Sequence, residues 1–173
     1  MTTTPRTFEQ MLADLRTAIG TLIGLPAGLV RPGNQAGVPV PQVGNWATVL
    51  ATTAHNRGTP AQTVVDAEPT TIDLESTFFR EFTADIQIFR AGAFELACLL
   101  DHALQADFGA HTLRSVAIAY NGSTAINMTS AVVSTLWEER ALVRASFSAM
   151  FTLTDRVSFL DPAMANATLG GIS

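Results

Sequence analysis

The sequence predicts an α+β fold: two helices on one face of a mostly antiparallel sheet of about four to five strands, with a long hairpin arm. Three observations carry this. Within residues 81–105, Phe82, Ala84, Ile86 and Ile88 alternate on one face of a period-two stretch, and after Ala91-Gly92 the apolar positions Ala93, Leu96, Ala97, Leu99, Leu100, Ala103 and Leu104 recur at helical spacing. A further amphipathic segment precedes this unit near the N-terminus. Near the other end lies the longest alternation in the chain, with Ala141, Val143, Ala145, Phe147, Ala149, Phe151 and Leu153 on one side. A strand with one dry face joined by a tight turn to a helix with one dry face packs helix on sheet.

Taken in order, the first helix is expected from Phe8 to Ile23, where Phe8, Met11, Leu12, Leu15, Ala18, Ile19 and Leu22 recur at spacings of three and four. Thr7 and Gln10 have the spacing of a capping box, and Gly24 is placed to end the helix. Residues 24–44 are rich in proline and glycine and form a long loop, in which Leu29, Val30, Val38, Val40 and Val43 favour a docked extended segment. It is either an intersubunit contact or a loop folded on its own domain. Residues 46–53 alternate as a strand, and the pattern resumes near Phe78. The intervening 55–76 is polar and broken by Gly58, Pro60 and Pro69, which makes it a projecting arm on which Thr63, Val64 and Val65 could form a short strand.

Beyond the central helix, Asp107-Phe108-Gly109 reads as a break, 115–120 as a third strand and Asn121-Gly122 as a turn. Val132, Val133, Leu136 and Trp137 fit either a short helix or an irregular run. The long final strand follows, and Arg156 to Leu160 extend or re-enter the sheet. The chain is expected to be a single domain over 1–173, with its folded core at 7–160 and a tail at 161–173.

Composition narrows the functional classes. Net charge is −5 and all ten basic residues are scattered arginines, which disfavours a nucleic-acid groove. Only 14% of residues are charged against 47% apolar, a balance that fits a surface partly covered by other subunits or an alanine-rich chain with an ordinary surface. The lone Cys98 is expected to pack as a small apolar helix residue. MTTTPR does not have the form of a secretory leader and no apolar run reaches about 18 residues, so the expectation is a soluble chain made in the cytoplasm, with no membrane partner.

No catalytic, cofactor-binding or metal-ligating set emerges. His55, His102 and His111 lie far apart with no metal-ligand spacing, and no nucleotide-binding or nucleophile motif occurs. The acidic pairs Asp66/Glu68 and Asp73/Glu75 read as solvated arm residues, and Asp101 and His102 as surface polar residues. The most distinctive polar cluster is Glu138-Glu139-Arg140 at the mouth of the long strand, where Glu139 and Arg140 are expected to pair across neighbouring strands or Arg140 to reach a neighbouring subunit.

The N-terminal amphipathic helix, the strand before a long arm, the strand-to-helix unit of 81–105 and the entry Trp137-Glu138-Glu139-Arg140-Ala141 into the last strand together resemble the tail terminator and neck terminator proteins of long-tailed bacteriophages, over roughly residues 8–160. The resemblance implies a non-enzymatic virion protein of the tail or neck, without cofactor. It implies a homo-oligomer, a ring of about six copies, that caps the tail tube protein and meets the head completion or connector protein. DNA would pass through its lumen without specific binding. The subunit contacts would lie on the loop at Arg31, Val38 and Val40, on the arm at Arg57 and Val64, and at the corner of Glu138, Glu139 and Arg140. A head–tail adaptor or a tube subunit is the neighbouring alternative, and a small α+β enzyme the remote one.

Overall fold

Thr7 starts the first helix as its spacing requires. Its backbone N–H donates to Gln10 Oε1 at 2.8 Å, and Gln10 N–H donates to Thr7 Oγ1 at 3.2 Å. This reciprocal box satisfies two donors that a helix N-terminus otherwise leaves open. In the computed structural model, which describes residues 6–26, 28–33, 41, 43–67, 71–133 and 136–158, helix α1 spans Phe8–Ile23 and closes on Gly24 in the left-handed conformation at φ 68°. It is followed by strands β1 (Val30–Pro32), β2 (Trp46–Ala67) and β3 (Thr71–Phe89), helices α2 (Ala93–Gln105) and α3 (Asp107–Ser115), then strands β4 (Ile118–Ser123), β5 (Asn127–Met128), β6 (Ala131–Val133), β7 (Leu136–Glu138) and β8 (Arg140–Ser158).

The main sheet runs β1-β2-β3-β8-β4, with β5 beside β8 at its base, and β6 and β7 form a separate two-stranded sheet. Among the described residues β1–β2 is the one parallel pair, and the other pairs are antiparallel. The expected α+β class and mostly antiparallel sheet are therefore present. One apolar cluster joins α1, α2 and α3 to a single face of the sheet: Met11, Leu15, Ile19, Leu100, Leu104 and Leu113 meet Ile86, Ile88, Val143 and Phe147. Each of these side chains is buried, and a large one contributes about 1.5–3 kcal/mol.

The structure differs from the sequence expectation in four places. A third helix, α3, occupies 107–115 where Asp107-Phe108-Gly109 suggested a break. Gly109 is buried there because a Cβ would fall inside van der Waals contact of the Ala103 carbonyl oxygen, so it serves the close corner between α2 and α3 rather than ending a helix. The arm is strand nearly throughout: β2 and β3 pair from Trp46↔Phe89 to Ala67↔Ile72, with bulges at 51/53, 57/61 and 64/66 that absorb Gly58 and Pro60. Asn121-Gly122 continues β4 through a bulge. Val132, Val133, Leu136 and Trp137, left open between a short helix and an irregular run, lie on the paired strands β6 and β7.

Two side chains expected in the core lie outside it. Cys98 is exposed and Leu99 is 47% exposed, because α2 buries a narrower seam of Ala93, Ala97, Leu100 and Leu104.

Candidate interaction surface

The corner at the start of β8 is built inward. Arg140 Nη2 donates to Glu138 Oε2 at 2.9 Å, and its guanidinium sits 5.2 Å over the Phe89 ring, whose other side stacks on Trp46 at 3.9 Å. Arg140 therefore pairs with Glu138 at the end of β7, where the sequence suggested that Glu139 and Arg140 pair across neighbouring strands. Glu139 lies between β7 and β8, and its side chain turns toward the start of α2 while that of Arg140 turns onto Phe89. Glu139 instead anchors α2: its carboxylate accepts from Gly92 N–H at 3.0 Å and Phe94 N–H at 3.1 Å, at the helix N-terminus where negative charge is favoured. Its backbone carbonyl accepts from Arg90 N–H.

Arg90 completes the corner. It adopts φ 81°, a left-handed conformation that costs a non-glycine residue about 1–2 kcal/mol. Its guanidinium holds the incoming chain before β2, donating to the carbonyl oxygens of Gly44 at 2.8 Å and of Pro41. Sequence reasoning missed Arg90 because a left-handed arginine leaves no pattern in one sequence. It also missed the role of Asp101, which accepts hydrogen bonds from Ser123 Oγ and from Gln105 Nε2, while Tyr120 Oη donates to Ser123 Oγ at 2.8 Å. This chain of groups ties α2 to β4.

The arm is built outward. At its base Arg80 lies 5.3–5.6 Å over the rings of Phe8, Phe78 and Phe151 and marks where helix cover ends. Past that point β2, β3 and β8 continue as a ribbon on which Phe79, Val64, Leu153 and Met150 are each about half exposed. Arg57 Nη1 and His55 Nε2 approach the Glu81 carboxylate at 2.5 and 3.3 Å. Nearer the base, Arg144 and Asp85 form a two-pronged pair at 2.6 and 2.8 Å on the uncovered sheet face, and the hydrogen bonds and charge of Asp85 raise the Arg144 pKa.

Of the remaining contact candidates, Arg31 Nε donates to the Gly28 carbonyl at 3.0 Å, and Val38 and Val40 lie outside the described residues. The structure thus brings Arg57 and Val64 onto one arm and Glu138, Glu139 and Arg140 into one corner, with Arg31 apart on β1. Trp137, 77% exposed on β7, is the most exposed aromatic side chain among the described residues. Its aromatic character was visible in the sequence, but its outward direction was not.

No cluster of His, Cys, Asp and Glu among the described residues could hold a metal ion, and no helix among them is long and apolar enough to cross a membrane. The arrangement offers exposed apolar side chains and strand edges, the chemistry of protein contact. No curated protein matches the sequence. Residues 13–171 match the family described as phage neck terminator protein, and the chain belongs to that family.

Proposed function

We propose that this chain forms a closed ring, of about six copies, that caps the finished tail tube and joins it to the head connector. The family is a structural one, which places the chain in the virion neck or tail. The observation that carries the ring reading is the arm: three long strands leave the helix-covered core and present Val64, Phe79, Met150 and Leu153 to solvent. Half-exposed apolar side chains on a ribbon outside the core are stabilised by a neighbour. A net charge of −5 without a basic stripe suits a lumen through which DNA slides without being gripped.

Light scattering and electron microscopy of the full chain, alone and with purified tail tubes, test the reading. The expected result is a single ring in solution or one ring at a tube end. Monomers only, even with tubes present, would overturn it, and long helical stacks would assign the chain to the tube itself.

A further inference from the structure

Among the described residues the ribbon has two open edges, and their positions imply how copies join. Strand β4 begins at Ile118 opposite Ala149, so beyond Ala149 no described strand lies beside β8 on its outer side. On the opposite edge β1 pairs only as far as Val49 and Gly33 packs on Leu50, leaving β2 without a described outer strand beyond that point. The direction of the free groups follows from alternation. The Arg144 carbonyl accepts from Thr124 N–H on the β4 side, and the β3–β8 register is unbroken from 140 to 158. Residues two apart point the same way, so the backbone groups of Met150, Thr152, Thr154, Arg156 and Ser158 face outward. No proline or glycine guards this stretch, whereas β2 carries the Gly58–Pro60 bulge, then a regular run from Ala61 to Val64 that ends at the 64/66 bulge.

We propose that the β8 edge of one copy, from Met150 to Ser158, pairs in parallel with the β2 edge of the next copy beyond its bulge, so that the ribbons merge into one continuous sheet. The occupant is a second copy of this chain, for a geometric reason. Because β2 and β8 are each antiparallel to β3, they run in the same direction on opposite sides of the ribbon. A rotation about a ring axis preserves direction along that axis, so β8 meets the next copy's β2 as a parallel strand and every copy repeats the contact. A two-fold dimer would instead bring β8 to β8 in antiparallel fashion.

An open groove of about 680 Å³ lies where β4 stops, lined by Phe79, Leu104, Leu113, Arg114, Tyr120 and Met150. In a ring whose copies stand at one height, Ala61 comes level with Thr152, and the Gly58–Pro60 bulge of the incoming strand reaches this groove. The pairing depends on the proposed ring for its closure, not for its hydrogen bonds.

Gln62, Ser76 and Leu153 share one row of the ribbon, which keeps Gln62 and Leu153 of one protomer two strand spacings apart, about 9–10 Å. That exceeds the Cα separation of about 7 Å that a disulfide spans, so a bond between these positions joins two copies. In a Cys98→Ala background, Leu153→Cys is combined in turn with Gln62→Cys and Val64→Cys and oxidised. A ladder of disulfide-linked multimers from at least one combination is expected, with none from Leu153→Cys alone.

Thr152→Pro removes an outward N–H only, so it should leave the urea midpoint nearly unchanged while weakening assembly at least about tenfold. Rings seen by microscopy without a ladder from either combination would overturn the pairing and leave the ring reading standing. Disulfide dimers from Leu153→Cys alone, or undiminished assembly of Thr152→Pro, would also overturn the pairing. A ladder without closed rings would support the pairing and overturn the ring.

Discussion

The same three strands, β2, β3 and β8, behave differently at their two ends. At the base, Ala47, Ile86, Ile88, Ala141, Val143 and Ala145 are fully buried beneath the helices. In the arm the alternation continues through Phe78, Phe151 and Leu153, yet Leu153 is half exposed, as are Phe79 and Met150 on the opposite face. Period two says that one face of a strand is apolar; burial depends on what lies over it. Three helices supply that cover at the base, and the arm extends past them.

The largest expected contrast comes from truncating one aromatic side chain in each region. Phe147 is fully buried and contacts Phe82 and Tyr120 at ring distances of 5.6 and 6.0 Å. Phe147→Ala should cost about 3–5 kcal/mol in urea unfolding. Phe79→Ala, at a side chain 53% exposed, should cost about 1 kcal/mol or less. Equal losses would erase the distinction between base and arm.

A smaller effect, about 2–3 kcal/mol, is expected for Gly109→Ala, because the added methyl must push the α2–α3 corner apart. An unchanged melting temperature would show that the corner gives way freely. Glu139→Ala should cost about 1–2 kcal/mol by leaving two N–H groups at the α2 N-terminus without their acceptor. Circular dichroism melts would register this, and Glu139→Gln, which keeps one acceptor oxygen, should fall between.

The smallest effect on protomer stability is expected for Val64→Ser, within about 0.5 kcal/mol, since this side chain lies outside the helix-covered core. Its value is in pairing stability with assembly: ring formation measured by light scattering should fall while the urea midpoint holds. If both move together, the arm belongs to the protomer's own core.

Much of the base was legible from local pattern. The α1 capping box, the apolar repeats of α1, the strand-to-helix unit and the long β8 all follow from periods of 3.6 and two, which depend on neighbours close in the chain. The corner was less legible. Trp137-Glu138-Glu139-Arg140 stood out as residues, but Glu139 reaching the α2 N-terminus and Arg140 stacking on Phe89 depend on residues about fifty positions earlier. Gly109 misled because one residue type serves both to break helices and to let backbones touch. In the arm, Gly58 and Pro60 suggested irregular loop, since a bulge that absorbs them is visible only once β3 is alongside.

By itself the sequence determined the α+β class, the covered face of each base strand and a surface with few charges, because alternation, helical spacing and composition are local or additive properties. Tertiary structure decided that the arm is a continuous ribbon, that its outer strands β2 and β8 lie on opposite sides of β3 and run in the same direction, and that the polar corner faces inward. These depend on which strand lies beside which. Register and edge exposure arise from pairings between distant segments, which no single stretch of the chain contains.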